Sequence, residues 1–168
     1  MSRIFFLIAW MLAVTTLVNG QELSRKEQKA QKEQEIKQLI ESQQFRFIAR
    51  AVLPMSGPRI DLTSTYDLTV DSTMVEAWLP FFGRAYQAEY GGRDGGIKFK
   101  EEVEKIDVTY NKRKQIYQIN MDVDTDKDNY RVRITAGLSG YGDVSINSNN
   151  RQSISYYGII EPLEKKKE

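Results

Sequence analysis

From Phe45 to Ile160 apolar and polar residues alternate with a period of two, interrupted by turn signals and one glycine-rich loop. A period of two is the pattern of an extended strand with one buried face. Phe45, Phe47, Ala49, Ala51 and Leu53 alternate with Arg46 and Arg50, and Pro54-Met55-Ser56-Gly57-Pro58 turns the chain. Residues 59–62 are expected as a short strand. Tyr66, Leu68 and Val70 then alternate with Asp67 and Thr69, and Asp71-Ser72-Thr73 is a tight turn into a strand from Met74 to Leu79. After the glycines, Ile97 and Phe99 mark one strand, and Ile106, Val108 and Tyr110 mark another. Tyr117, Ile119, Met121 and Val123 alternate with Gln118, Asn120 and Asp122. Tyr130, Val132, Ile134 and Ala136 alternate with Arg131, Arg133 and Thr135. Ser139-Gly140-Tyr141-Gly142 reads as a turn, Val144 and Ile146 as one inner face, and Ser153 to Ile160 as the last strand.

This gives about eight to ten strands joined by short turns, with no helix between them. Parallel crossovers are therefore excluded, and the fold class is mainly β, antiparallel and up-and-down. A meander this long must hide its edges, which a lipocalin-like barrel does by closing on itself. A two-sheet sandwich fits the same alternation. Tyr66, Leu68, Val70, Tyr117, Ile119, Met121, Tyr130, Val132 and Ile134 are predicted to face the core.

The chain begins differently. Met1-Ser2-Arg3 precedes an apolar run from Ile4 to Val18, and small residues stand before Gln21. Residues 1–20 have the layout of a signal peptide, so the mature chain is expected to start at Gln21 and to be periplasmic or secreted. It has no second apolar run and therefore no expected transmembrane segment. Residues 21–44 are charged and helix-favouring. Ser24-Arg25-Lys26-Glu27 has capping-box spacing, and Ile36, Leu39 and Ile40 share one helical face. The β domain is expected over 45–162, and 163–168 is a charged tail.

The chain has 24 Lys and Arg against 23 Asp and Glu. Once Arg3 is removed with the signal, the remainder is balanced. Such a surface offers no electrostatic footprint for nucleic acid. There is no Cys and no His. Thiolate chemistry is thereby excluded, and the usual general base and zinc ligand are missing. No catalytic residue, metal or cofactor is predicted.

The aromatic segment from Trp78 to Tyr86 is the candidate ligand site. Trp78, Phe81, Phe82 and Tyr86 would form apolar walls, and Arg84 would hold a carboxylate or phosphate in its planar fork. The partner would be a small amphipathic ligand. The same rings also fit a plug for a solid barrel, in which case the protein is an envelope interaction module. A third reading, a carboxylate-based hydrolase using two of Glu76, Glu101, Glu102, Glu104 and Glu161, finds no spacing that selects a pair. Asp122 to Asp128 lacks the glycine and the distal glutamate of a calcium loop and reads as a hairpin turn. Gly91 to Gly96 matches no phosphate-binding spacing.

The block Leu79-Pro80-Phe81-Phe82-Gly83-Arg84-Ala85-Tyr86, with Gly95-Gly96-Ile97-Lys98-Phe99 and Ile154-Ser155-Tyr156-Tyr157-Gly158, resembles an uncharacterised family of exported Gram-negative proteins, domain of unknown function 4251. The resemblance covers about residues 40–162. It implies a lipocalin-type barrel, and because the family has no established activity it implies no catalytic or binding residues.

Overall fold

A computed structural model describes residues 24–86 and 95–163. The chain divides into two units at Ala30/Gln31. The described part of the first unit is the opening of helix α1 (Arg25–Glu41). Its capping box forms as the spacing predicts: the Ser24 N–H donates to Glu27 Oε2 at 2.8 Å, and the Glu27 N–H reaches Ser24 Oγ at 3.4 Å. These two bonds, the backbone one first, lower the Glu27 pKa.

The second unit is a nine-stranded antiparallel sheet curled into a half-barrel. The strands are β1 (Gln44–Pro54), β2 (Ile60–Asp71), β3 (Met74–Leu79), β4 (Ile97–Glu102), β5 (Ile106–Asn111), β6 (Ile116–Asp124), β7 (Asn129–Gly137), β8 (Tyr141–Ser148) and β9 (Ile154–Glu161). Their order is β4-β3-β2-β1-β9-β8-β7-β6-β5. Each arm is a meander of neighbours in sequence, and pairing of the first strand with the last joins the arms.

Both ends of this order fall in one stretch of chain. Tracing the antiparallel pairs from β4 round to β5 shows the two strands running the same way, separated by three residues, Val103-Glu104-Lys105. They are two halves of one bent strand. The first half pairs with β3 and the second with β6. Val103 marks the bend: its side chain is buried and its N–H donates to Thr73 O at 2.8 Å. The hydrogen-bonded ring expected of a closed barrel is thus open between β4 and β5 among the described residues. The reason is that a strand changing partner cannot pair on both sides along its whole length.

The predicted inner residues form one core. Leu68, Val70, Tyr117, Ile119, Met121, Tyr130, Val132 and Ile134 are buried, and Tyr66 packs against them half-buried. Three sequence expectations change. Residues 60–62 and 66–70 belong to one strand, β2, with Arg59 just before it. The β7–β8 turn is Leu138-Ser139-Gly140, and Gly142 lies inside β8, where a Cβ would strike Thr135 O at 2.6 Å. In β1 the register shifts between Ala49 and Ala51, so Val52 joins the core and Leu53 is left 39% exposed. A one-residue bulge sends every later side chain to the opposite face.

The part of helix α1 within the second unit, from Gln31 onward, closes one end of the half-barrel. Ile36 and Ile40 are buried in the core, and Leu39 packs against it. Gln43, at a φ of 55°, ends the helical run, and its carbonyl accepts the Ser72 N–H at 2.9 Å. At this end the Tyr117 hydroxyl donates to Glu41 Oε1 at 2.9 Å. Burial, and then this bond, push the Tyr117 pKa up to about 12. An unfolded tyrosine ionises near pH 10. The folded state therefore keeps the proton longer, and this stabilisation is complete below about pH 10 and lost as pH rises towards about 12. In Tyr117→Phe that component of alkaline destabilisation should vanish, as urea unfolding across this pH range would show; an unchanged alkaline slope would count against the buried phenol.

Candidate functional site

Among the described residues, the other end of the half-barrel is built from loops: the β1–β2 turn, residues 80–86, the β6–β7 turn and the β8–β9 connection. The first anchor is Tyr156, a fully buried strand residue whose hydroxyl donates to Pro80 O at 2.8 Å. Burial raises its pKa, so the phenol stays a neutral donor. Pro80 has no N–H and ends β3, and its carbonyl is the acceptor that fixes where the chain leaves the sheet.

The second anchor is Arg151, only 6% exposed. Its Nη1 donates to Gly95 O at 2.9 Å and to Gly96 O at 3.1 Å. Its guanidinium lies 5.3 Å from the ring centre of Phe81, so both the cation and the ring are held. Phe81 packs on the core. Gly83 makes that possible, since any Cβ there would meet the Phe81 ring at 2.8 Å.

Residues 84–86 lie against residues 150–152 as a short antiparallel strip. Ala85 bridges to Arg151. The Tyr86 N–H donates to Asn150 O at 2.7 Å, and the Gln152 N–H to Arg84 O at 3.0 Å. The Gln152 side chain accepts the Arg84 N–H at 3.0 Å. The backbone of this loop is therefore fixed on both sides of Ala85, while Phe82, Arg84 and Tyr86 are left exposed, the two aromatics at 43% and 66%.

A polar chain continues to the β6–β7 turn. Asn150 donates through its side chain to Lys127 O at 3.0 Å and through its N–H to Ser148 Oγ at 3.0 Å. Ser148 in turn bonds the buried Asp128, which also accepts the Asn129 N–H at 2.9 Å. The neighbouring carboxylates are engaged separately, Asp122 with Arg131 and Asp124 with Asn129. Among the described residues no group of three or more His, Cys, Asp or Glu could hold a metal ion.

Of the five residues picked out in the sequence, Phe81 sits within this end and Phe82, Arg84 and Tyr86 stand on its outer loop. Trp78 is elsewhere. It alternates with buried Val75, Ala77 and Leu79 and so faces outward, 56% exposed, with Lys98 Nζ 5.2 Å from its ring centre and Tyr66 edge-on at 6.5 Å. Arg151, Gln152 and Asn150 were not legible as anchors, because the groups they bind lie more than fifty residues away in sequence or across a turn.

Replacing Arg151 by Met keeps the bulk and removes the donors for two glycine carbonyls. A loss of about 1–3 kcal/mol is expected, the usual cost of leaving buried polar groups unmet. Hydrogen exchange should quicken at Tyr86 and Gln152, whereas a rigid loop with unchanged stability would show that Arg151 is not the anchor.

Comparison with known proteins agrees with this architecture. A crystal structure of a DUF4251 family protein from Bacteroides eggerthii superposes with a TM-score of 0.62 at 20% sequence identity, covering 79% of this chain and 89% of that one. Among curated proteins, no relative matches the chain. Among the described residues no helix is long and apolar enough to cross a membrane. The family model for a domain of unknown function, DUF4251, matches residues 27–160, and the chain belongs to that family.

Proposed function

We propose that this protein is an exported, non-catalytic binding module whose loop end takes a small amphipathic ligand. One observation carries the reading. Two aromatic rings and a guanidinium, those of Phe82, Tyr86 and Arg84, are exposed on a loop whose backbone is pinned to residues 150–152 before β9. Aromatic side chains are normally buried for the area they bring, and here the fixed backbone keeps two of them available at low entropic cost. Phe81, held beneath by Arg151, gives the loop a stiff base. Arg84 suits a carboxylate or phosphate head, and the rings suit an apolar body. The absence of His from the chain supports binding without catalysis.

The export part rests on the charge and hydropathy of residues 1–20. N-terminal sequencing of protein from the native host's envelope fraction should read from Gln21. Recovery of the chain from the cytoplasm with Met1 or Ser2 in place would sink the localisation.

Calorimetric titration with oleate and with a lysophospholipid tests the site. Arg84→Ala should weaken binding by about 1.5–3 kcal/mol, the range for a hydrogen bond to a charged group. Trp78→Ala should leave it unchanged, because that ring faces the outer wall of the sheet. If wild type takes neither amphiphile, the ligand reading fails; an interaction module that docks through the same exposed loop would then be the better description.

A further inference from the structure

β5 is an edge strand. It pairs with β6 and, among the described residues, has no strand on its other side. Edge strands present unpaired backbone groups, and proteins commonly guard them with lysine or proline. The other edge, β4, carries Lys98 and Lys100 on its outer face. β5 reads Ile-Asp-Val-Thr-Tyr-Asn and contains neither lysine nor proline. Its inner face is also incompletely covered: Ile106 and Val108 are half-buried and Tyr110 is 39% exposed. Beside the fully buried Ile119 and Ile134 on the neighbouring strands, this is the place where the sheet stops short.

The charges flanking β5 are polarised. Glu101, Glu102 and Glu104 precede it, and Lys105 between is neutralised by Asp107 at 2.7 Å. Lys112, Arg113 and Lys114 follow it, all exposed. Such a strand is complementary to itself in only one sense. In an antiparallel pair related by a two-fold axis, the acidic start of each copy lies beside the basic end of the other. A parallel pair would set like against like.

We propose that β5 is a self-association edge, and that the occupant is a second copy of this chain. Two β5 strands pair antiparallel across a two-fold axis, joining two half-barrels into one continuous sheet. The interface is isologous, so the same patch serves both partners. Backbone pairing meets the open edge groups, the partner's strand extends cover over Val108 and Tyr110, and the flanking charges fix orientation and sense.

The test is sedimentation equilibrium of the purified protein at low salt, with two charge variants. Lys112→Glu/Lys114→Glu makes both flanks acidic, and Glu101→Lys/Glu104→Lys makes both flanks basic. Wild type should be a dimer that weakens as salt is added. Each variant alone should dimerise about tenfold more weakly or not at all, since like charges then face each other. An equimolar mixture of the two should recover a dimer, because every acidic flank meets a basic one. Circular dichroism and unfolding midpoints establish that each variant is folded. A monomeric wild type overturns the proposal. So does a dimer indifferent to both variants, or a mixture that stays monomeric while its components are folded.

Discussion

The ladder between β1 and β9 is the contact on which the rest of this structure depends. Without it the chain would be two separate meanders, β1 to β4 and β5 to β9, each with one exposed apolar face. Pairing of Phe47 with Ile160 and of Val52 with Tyr156 brings those faces round a common core. The ladder is also closely packed. At Gly158 any Cβ would collide with the Ile48 carbonyl and the Phe47 ring. The Tyr-Tyr-Gly sequence of β9 is thus a packing requirement: Tyr156 fills the core and Gly158 lets β1 approach.

The two ends of the half-barrel are finished by different means. At the helix end, aliphatic side chains of α1 cover the core, and the Tyr117 phenol bonds the Glu41 carboxylate. At the loop end, backbone carbonyls of Pro80, Gly95 and Gly96 are each met by a buried side-chain donor from β9 or the connection before it. Those donors leave the outward side chains of the 82–86 loop free of structural duty. The polar chain through Asn150, Ser148 and Asp128 then ties a second loop to the same base. The loop end is therefore held by side-chain donors together with the short backbone strip between residues 84–86 and 150–152.

Much of the fold was legible in the alternation because burial of one sheet face leaves a local mark every second residue. The β2–β3 and β6–β7 hairpins close over short turns, and the capping box at Ser24 lies within three residues. What escaped was long-range or hidden by a shift. The bulge in β1 has no composition signal, so Leu53 and Val52 exchanged faces. The bend at Val103 depends on a carbonyl thirty residues earlier, and nothing in Val-Glu-Lys announces it. At the candidate site the aromatic segment stood out as a cluster in sequence, yet period two already separates Trp78 from Ala77 and Leu79, and the structure sends that ring to the outer wall. Arg151 reads as an ordinary residue at a strand start. Its role follows from burial and from two carbonyls more than fifty residues upstream.

The meeting of first and last strands also sets the order of events along a growing chain. Arg46 pairs with Glu161, so one side of β1 has no strand partner until β9 exists. Hairpins such as β2–β3 and β6–β7 close over short loops, but the join between the arms must wait for the C-terminal strand and bear a large loop-closure entropy. Until β9 has formed, the two arms share no ladder and their apolar faces have no common core.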